Sequence, residues 1–246
     1  MEEVCLVTTA LRRFNLPRFL CLLLSLVTLP STLTAQIRSD APADMAVYAV
    51  SYVEVMPASR AMAIATLKQY RDASRKDEGY VRLELFEQIG RSGHFVFVET
   101  WKDQKALDAH ETAAHTKQIS DMLQPIRSSD HDRRPYKTFT VGSAPATPNG
   151  RAIYVVTHVD TAPAPQTDTP GLLKRFAEAS RKEDGTVRFD VLQHTTRANH
   201  FTVIETWQSQ KALDAHAAAA HTRQYRDELH PITGSPLDER LYKVVE

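Results

Sequence analysis

The chain is written twice, and that constrains it more than anything else. Trp101, His110 and His115 return as Trp207, His216 and His221, each displaced by 106 positions. Between His94–Pro125 and His200–Pro231 about 20 of 32 positions are identical, with Gln104–His110 repeated unbroken as Gln210–His216. The same offset pairs Tyr48 with Tyr154, Gly79 with Gly185 and Tyr136 with Tyr242. A unit this long is a domain rather than a solenoid repeat of roughly 20–50 residues. The expected organisation is therefore residues 45–141 and 151–246 as two like domains, joined by a Pro- and Gly-containing linker over 142–150.

The first 35 residues read differently. Arg12, Arg13 and Arg18 precede an apolar run, Phe19–Leu29, and small residues follow to Ala35. That order is expected of a secretory signal peptide over 1–35, with 36–44 as a flexible lead-in. The implied location is periplasmic or secreted, with no membrane association after cleavage. Both cysteines, Cys5 and Cys21, fall in the leader. Thiolate chemistry and disulfides are then excluded from the mature chain. Lys+Arg and Asp+Glu balance at 30 each. No basic stripe interleaved with aromatics is present, so nucleic acid is not an expected partner.

Within each copy the pattern reads strand, helix, strand, strand, helix, strand. Met45–Val55 and Ile153–Val159 are Val- and Tyr-rich strands. A helix follows with Ile64, Leu67, Tyr70, Arg71 and Ser74 on one face, and Gly79 or Gly185 is expected to end it. Pro170 suits the first turn of the second copy's helix. A hairpin turning near Gly90 makes partners sum to about 181. Arg82 then faces Glu99, Arg188 faces Glu205, and Leu83, Leu85, Val96 and Val98 form an aliphatic ladder toward the helices. On this register the Arg–Glu pairs belong to an interface between repeats. Asp103 and Ser209 are N-cap residues for one long second helix running toward Leu123. The βαββαβ order gives an α+β, ferredoxin-like unit with both helices on one sheet face. The bare face carries aromatics, and packing the repeats sheet to sheet would cover it, as a monomeric pseudo-dimer.

The run Ser74-Arg75-Lys76-x-x-Gly79, the hairpin ending Glu99-Thr100-Trp101, then Lys105–His110 and His115-Thr116 resembles the antibiotic biosynthesis monooxygenase family. Ser180–Gly185, Glu205–Trp207, Lys211–His216 and His221-Thr222 repeat it. The resemblance implies a dimeric α/β barrel made by one chain, with a pocket between sheet and helices in each repeat. It implies oxidation of quinols or polycyclic phenols by O2 without metal or flavin, although fold alone does not choose a reaction. Heme-degrading relatives carry an Asn on the first strand. Here the only asparagines are Asn15, Asn149 and Asn199, so heme degradation is disfavoured.

Carried onto this chain, the resemblance makes Trp101 and Trp207 pocket residues. His110 and His216 are the candidate bases for a phenolic hydroxyl, because a neutral imidazole near pH 7 suits that role. Tyr48, Tyr154, His115 and His221 are candidate substrate contacts. His115 lies five residues beyond His110, about 140° around an ideal helix, and the two can share a site only if the helix breaks between them. That spacing is wrong for one-face zinc ligation, so no metal site is expected. Two other readings stay open: a non-enzymatic module that binds an aromatic ligand, and a tandem in which only one repeat has a working pocket.

Overall fold

The computed structural model describes residues 45–143, 150–162 and 168–245. The proposed leader and lead-in, and most of the proposed linker, lie outside them. The first repeat contains β1 (Val47–Glu54), α1 (Arg60–Ser74), β2 (Tyr80–Gln88), β3 (His94–Trp101), α2 (Gln104–Glu111), α3 (Ala114–Leu123) and β4 (Asp132–Thr140). The second contains β5 (Ile153–Asp160), α4 (Thr169–Ser180), β6 (Thr186–His194), β7 (His200–Trp207), α5 (Gln210–Ala218), α6 (Ala220–Leu229) and β8 (Asp238–Val244).

The eight strands close into one antiparallel barrel in the order β1-β3-β2-β8-β5-β7-β6-β4. Closure depends on the last strand of each repeat. β4 pairs with β1 of its own repeat and with β6 of the other, and β8 pairs with β5 and with β2. Among the described residues neither repeat keeps an unpaired sheet edge, the feature that otherwise invites aggregation. The two sheets thus meet as expected, face to face, and are also continuous at their edges.

Strand alternation sorts side chains into three cores. Tyr48, Val50, Tyr52, Phe86, Val96, Val98 and their second-repeat counterparts fill the barrel. Val53, Leu83, Leu85, Phe95 and Phe97 face outward under α1 and α3. Val155, Phe189, Val203 and Trp207 do the same under α4 and α6. Burying each such large apolar side chain contributes about 1.5–3 kcal/mol.

The hairpin register differs from the expected one by a single residue. Arg82 pairs with Thr100, Leu83 with Glu99 and Leu85 with Phe97, so partners sum to 182, and the second copy repeats the register. A bulge between Tyr80 and Arg82 absorbs the slip, because Tyr80 still pairs with Trp101. Since one residue inverts a strand's faces, the Arg82–Glu99 and Arg188–Glu205 pairs do not form. Val96 and Val98 lie inside the barrel, and Glu99 and Trp101 point to the helices. Arg82 and Arg188 do sit between the repeats. Arg188 reaches Glu84 at 2.6 Å and Asp190 at 2.5 Å, and Arg82 reaches Glu84 at 3.2 Å.

Two helix expectations are also corrected. α1 and α4 end at Ser74 and Ser180, several residues before Gly79 and Gly185. These glycines adopt positive φ (79° and 86°) in the turn into the next strand. The second helix is two helices, and the break between them builds the site.

Candidate functional site

Asp103 and Ser209 start α2 and α5 as expected, each accepting a hydrogen bond from a backbone N–H of the first turn. After Glu111 the helix stops: Ala113 is extended at φ −64°, ψ 145°, and α3 begins at the next residue. Thr116 donates its hydroxyl to the His110 carbonyl, 2.7 Å away, satisfying an acceptor that the break exposes. The second copy breaks identically at Ala219, φ −64°, ψ 148°, within a run of four alanines. Alanine is the strongest helix former, so tertiary packing overrides propensity here. The break returns His115 to the side of His110, with ring centroids 5.4 Å apart. His221 comes within 5.9 Å of His216.

In the first repeat a chain of buried polar groups runs from α1 to α2. The Tyr70 hydroxyl donates to Glu99 Oε1 and lies 2.7 Å from His110 Nε2. His110 Nδ1 is 2.7 Å from Asp77 Oδ2. A carboxylate only accepts, so Nδ1 carries a proton; Tyr70 gives its single proton to Glu99, so Nε2 must donate to the phenolic oxygen. The geometry is that of an imidazolium. Burial alone would depress the His110 pKa, but its interactions with the accepting carboxylates of Glu99 and Asp77 outweigh it and raise the value. Burial likewise opposes ionisation of Glu99, yet His110, the Arg133 charge and Tyr70 together hold its carboxyl below the usual range. Arg133 donates to Glu99 Oε2 at 2.9 Å and also pairs with Glu111. Trp101 is fully buried and stacks on His110, with centroids 4.3 Å apart.

Above this chain lies a cavity of about 660 Å³. Val53, Leu67, Phe97, Ile119 and Leu123 supply apolar side chains to its wall, and Tyr70, Arg127, His131 and Arg133 line it as well. That mixture of an apolar body with a few convergent polar groups suits a small aromatic ligand.

The second repeat keeps the scaffold and loses the chemistry. Tyr70 is replaced by Phe176, Arg133 by Glu239, Glu111 by Ala217 and Ile119 by Tyr225. Tyr225 stacks on Phe176 at 3.8 Å, and the cavity shrinks to about 190 Å³. With Glu239 in place of Arg133, burial pushes Glu205 up to about 8 despite the Arg226 charge, and its carboxyl accepts a 2.8 Å hydrogen bond from Trp207 Nε1. Burial also lowers the His216 pKa, against the opposing pull of Glu183. A neutral imidazole, expected of both copies, therefore describes His216 and not His110.

The remaining sequence-derived candidates separate. His110 and Trp101 are stacked partners, but they lie behind Tyr70 rather than on the first cavity's wall, whereas His216 lines the second cavity. His115 and His221 approach Asp77 at 3.1 Å and Glu183 at 2.9 Å. Tyr48 and Tyr154 point into the barrel and belong to its core, so they are not cavity contacts. Glu99 and Glu205, assigned to an interface by the slipped register, lie in the sites. Tyr70, Asp77, Glu183 and Arg133 carry no motif of their own. The signal that marks Tyr70 and Arg133 is their joint loss, with Glu111, in the second copy.

Fold and site together define a one-chain α/β barrel with a cavity under the helices of each repeat. The sequence pattern of the antibiotic biosynthesis monooxygenase family matches residues 46–121 and again 152–228, and the chain belongs to that family. It is 34% identical over 65 residues to "Putative monooxygenase YcnE" of Bacillus subtilis (strain 168), a stretch covering 26% of this chain and 68% of that protein. A monooxygenase-named protein of Fusobacterium nucleatum subsp. nucleatum has the same fold, with a TM-score of 0.74 at 14% identity over 82% of this chain and 93% of that one. Another from Lactobacillus acidophilus NCFM gives 0.67 at 14% identity, over 82% and 95%.

Proposed function

We propose that this is an exported oxygenase whose first repeat oxidises a small quinol or phenol with O2, while its second repeat completes the barrel. The carrying observation is Tyr70, which lines the larger cavity and whose hydroxyl is hydrogen-bonded to an ionised Glu99. A phenol bound against Tyr70 gives its proton to the tyrosine oxygen as Tyr70 passes its own proton to Glu99. Arg133 and Arg127 on the same wall stabilise the phenolate that results. The phenolate, unlike the phenol, readily gives an electron to O2. Burial keeps the Tyr70 pKa well above its ordinary value, so the hydroxyl stays protonated and acts as a relay. His110 and Trp101 are positioning residues: they hold the ring and its donated proton toward Tyr70. Export is supported by the charged, apolar, small-residue order of residues 1–35.

Oxygen uptake by the mature protein against a panel of hydroquinones and naphthols tests the reading. Tyr70→Phe is expected to lower uptake by about 100-fold, the lower range for losing a positioned proton-transfer group. Phe176 stands at the same position in the second copy, so the fold accepts the change. Tyr225→Phe, in the smaller cavity, should leave uptake unaltered. Uptake indifferent to Tyr70→Phe would overturn the assignment, and saturable phenol binding without uptake would favour a non-enzymatic binding module.

A further inference from the structure

We propose that each repeat holds a first-row divalent transition-metal ion between one carboxylate and two imidazoles, Asp77 with His110 and His115, and Glu183 with His216 and His221. Within each trio one potential donor atom per residue lies within 4.8 Å of the others. In the first repeat Asp77 Oδ2 stands 2.7 Å from His110 Nδ1 and 3.1 Å from His115 Nε2. In the second, Glu183 Oε1 stands 2.6 Å from His216 Nδ1 and 2.9 Å from His221 Nε2. Bonds of about 2.0–2.2 Å set ligand atoms roughly 3.3–3.6 Å apart in a tetrahedron and roughly 2.8–3.1 Å apart at the neighbouring corners of an octahedron. An ion would therefore replace the hydrogen bond between each carboxylate and its buried imidazole and part them by a few tenths of an ångström or more.

The His-x4-His spacing disfavours a shared ion only on a continuous helix, and the helix breaks at Ala113 and Ala219. The trio also survives a change of carboxylate: Asp77 becomes the longer Glu183, yet its oxygen occupies the equivalent place. Hydrogen bonding leaves the first trio incomplete. His115 Nε2 is buried and makes no hydrogen bond of good geometry, although it lies near Asp77. The His110 ring is held as a ligating histidine usually is, with its other nitrogen bonded at 2.7 Å to Tyr70 and its face on Trp101. Partial exposure of Asp77, His115, Glu183 and His221 leaves room for water as further ligands. Two imidazoles and one carboxylate favour zinc, cobalt, nickel or iron(II) over magnesium or calcium. On His110 Nδ1 the ion takes the place of the proton given to Asp77 and leaves Nε2–H facing Tyr70. The direction of the hydrogen bonds to Glu99 is therefore preserved, and the site stands whether or not the oxygen chemistry does.

The test is titration of the untagged, chelator-treated mature chain with Co2+, followed by its visible absorption, and with Zn2+ by calorimetry. Two equivalents per chain are expected. His115→Ala and His221→Ala should each remove one and the double variant both, with circular dichroism melts showing that the fold is retained. Absence of saturable Co2+ and Zn2+ binding overturns the proposal, as does binding that persists in the double variant. A single equivalent overturns it for the repeat whose variant changes nothing. Mg2+ competing as well as Zn2+ would overturn the assigned metal class.

Discussion

His158 shows what one residue can do at the centre of a duplicated fold. Its counterpart is Tyr52, and inside the barrel the two meet, Tyr52 hydroxyl to His158 Nε2 at 2.6 Å, while Nδ1 lies 2.8 Å from Thr202 Oγ1. Two identical chains would place the same residue on both sides of this contact. A tandem chain lets them differ, giving complementary hydrogen-bonding groups. Burial, reinforced by the Arg134 charge, lowers the His158 pKa from 6.5 to about 4. The folded state keeps the imidazole neutral, whereas the unfolded chain takes up a proton below pH 6.5. His158 therefore supports stability fully above pH 6.5 and loses that support as pH falls toward 4, by an amount on the order of 3 kcal/mol. Urea midpoints measured across that range should fall more steeply for the parent than for His158→Gln; parallel curves would refute this.

At the scale of elements, close approach fixes the turn between α1 and β2. A Cβ on Gly79 would stand inside van der Waals contact with the Ala106 Cβ of α2, and the residue has φ 79°. Gly185 would meet Ala212 at 2.6 Å in the same way. Gly90 has φ 80° but nothing within 4 Å. Gly90→Ala should cost only the left-handed strain, about 1–2 kcal/mol. Gly79→Ala should cost roughly 1–3 kcal/mol more, because α2 must shift. Thermal melts of the two variants compare them, and equal losses would mean that α2 yields freely. These elements also show what the sequence reveals and what it hides. The caps at Asp103 and Ser209 are legible because a side chain bonds its own helix. The bulge at Tyr80–Arg82 is not, and it is what sets Glu99 opposite Leu83 rather than Arg82. The helix break is equally silent, since Ala219 sits in a sequence that favours continuing the helix.

At the scale of the molecule, the two repeats are held by strand pairing and by a buried charge cluster at their junction. Arg188 is almost fully buried between Glu84 of the first repeat and Asp190 of its own. Burial works against its charge, but the two carboxylates raise its pKa. Arg188→Met would strand carboxylates in the interior and should cost about 3–5 kcal/mol. Arg82→Met, at the more exposed counterpart, should cost less; urea denaturation distinguishes them, and the reverse ranking would contradict this account. The same asymmetry separates the cavities, one provided with Tyr70, Glu99 and Arg133, the other filled by Tyr225 against Phe176.

The sequence by itself determined the duplication, the βαββαβ order, the partnership of the two sheets and the Trp and His landmarks. Each follows from local periodicity, or from comparing one copy with the other. Only the tertiary structure decided the hairpin register, the break that gathers His110 with His115, and the joining of Tyr70, Asp77 and Arg133 to them. Those depend on one-residue shifts and on contacts between distant segments, to which a local hydrophobic pattern is blind.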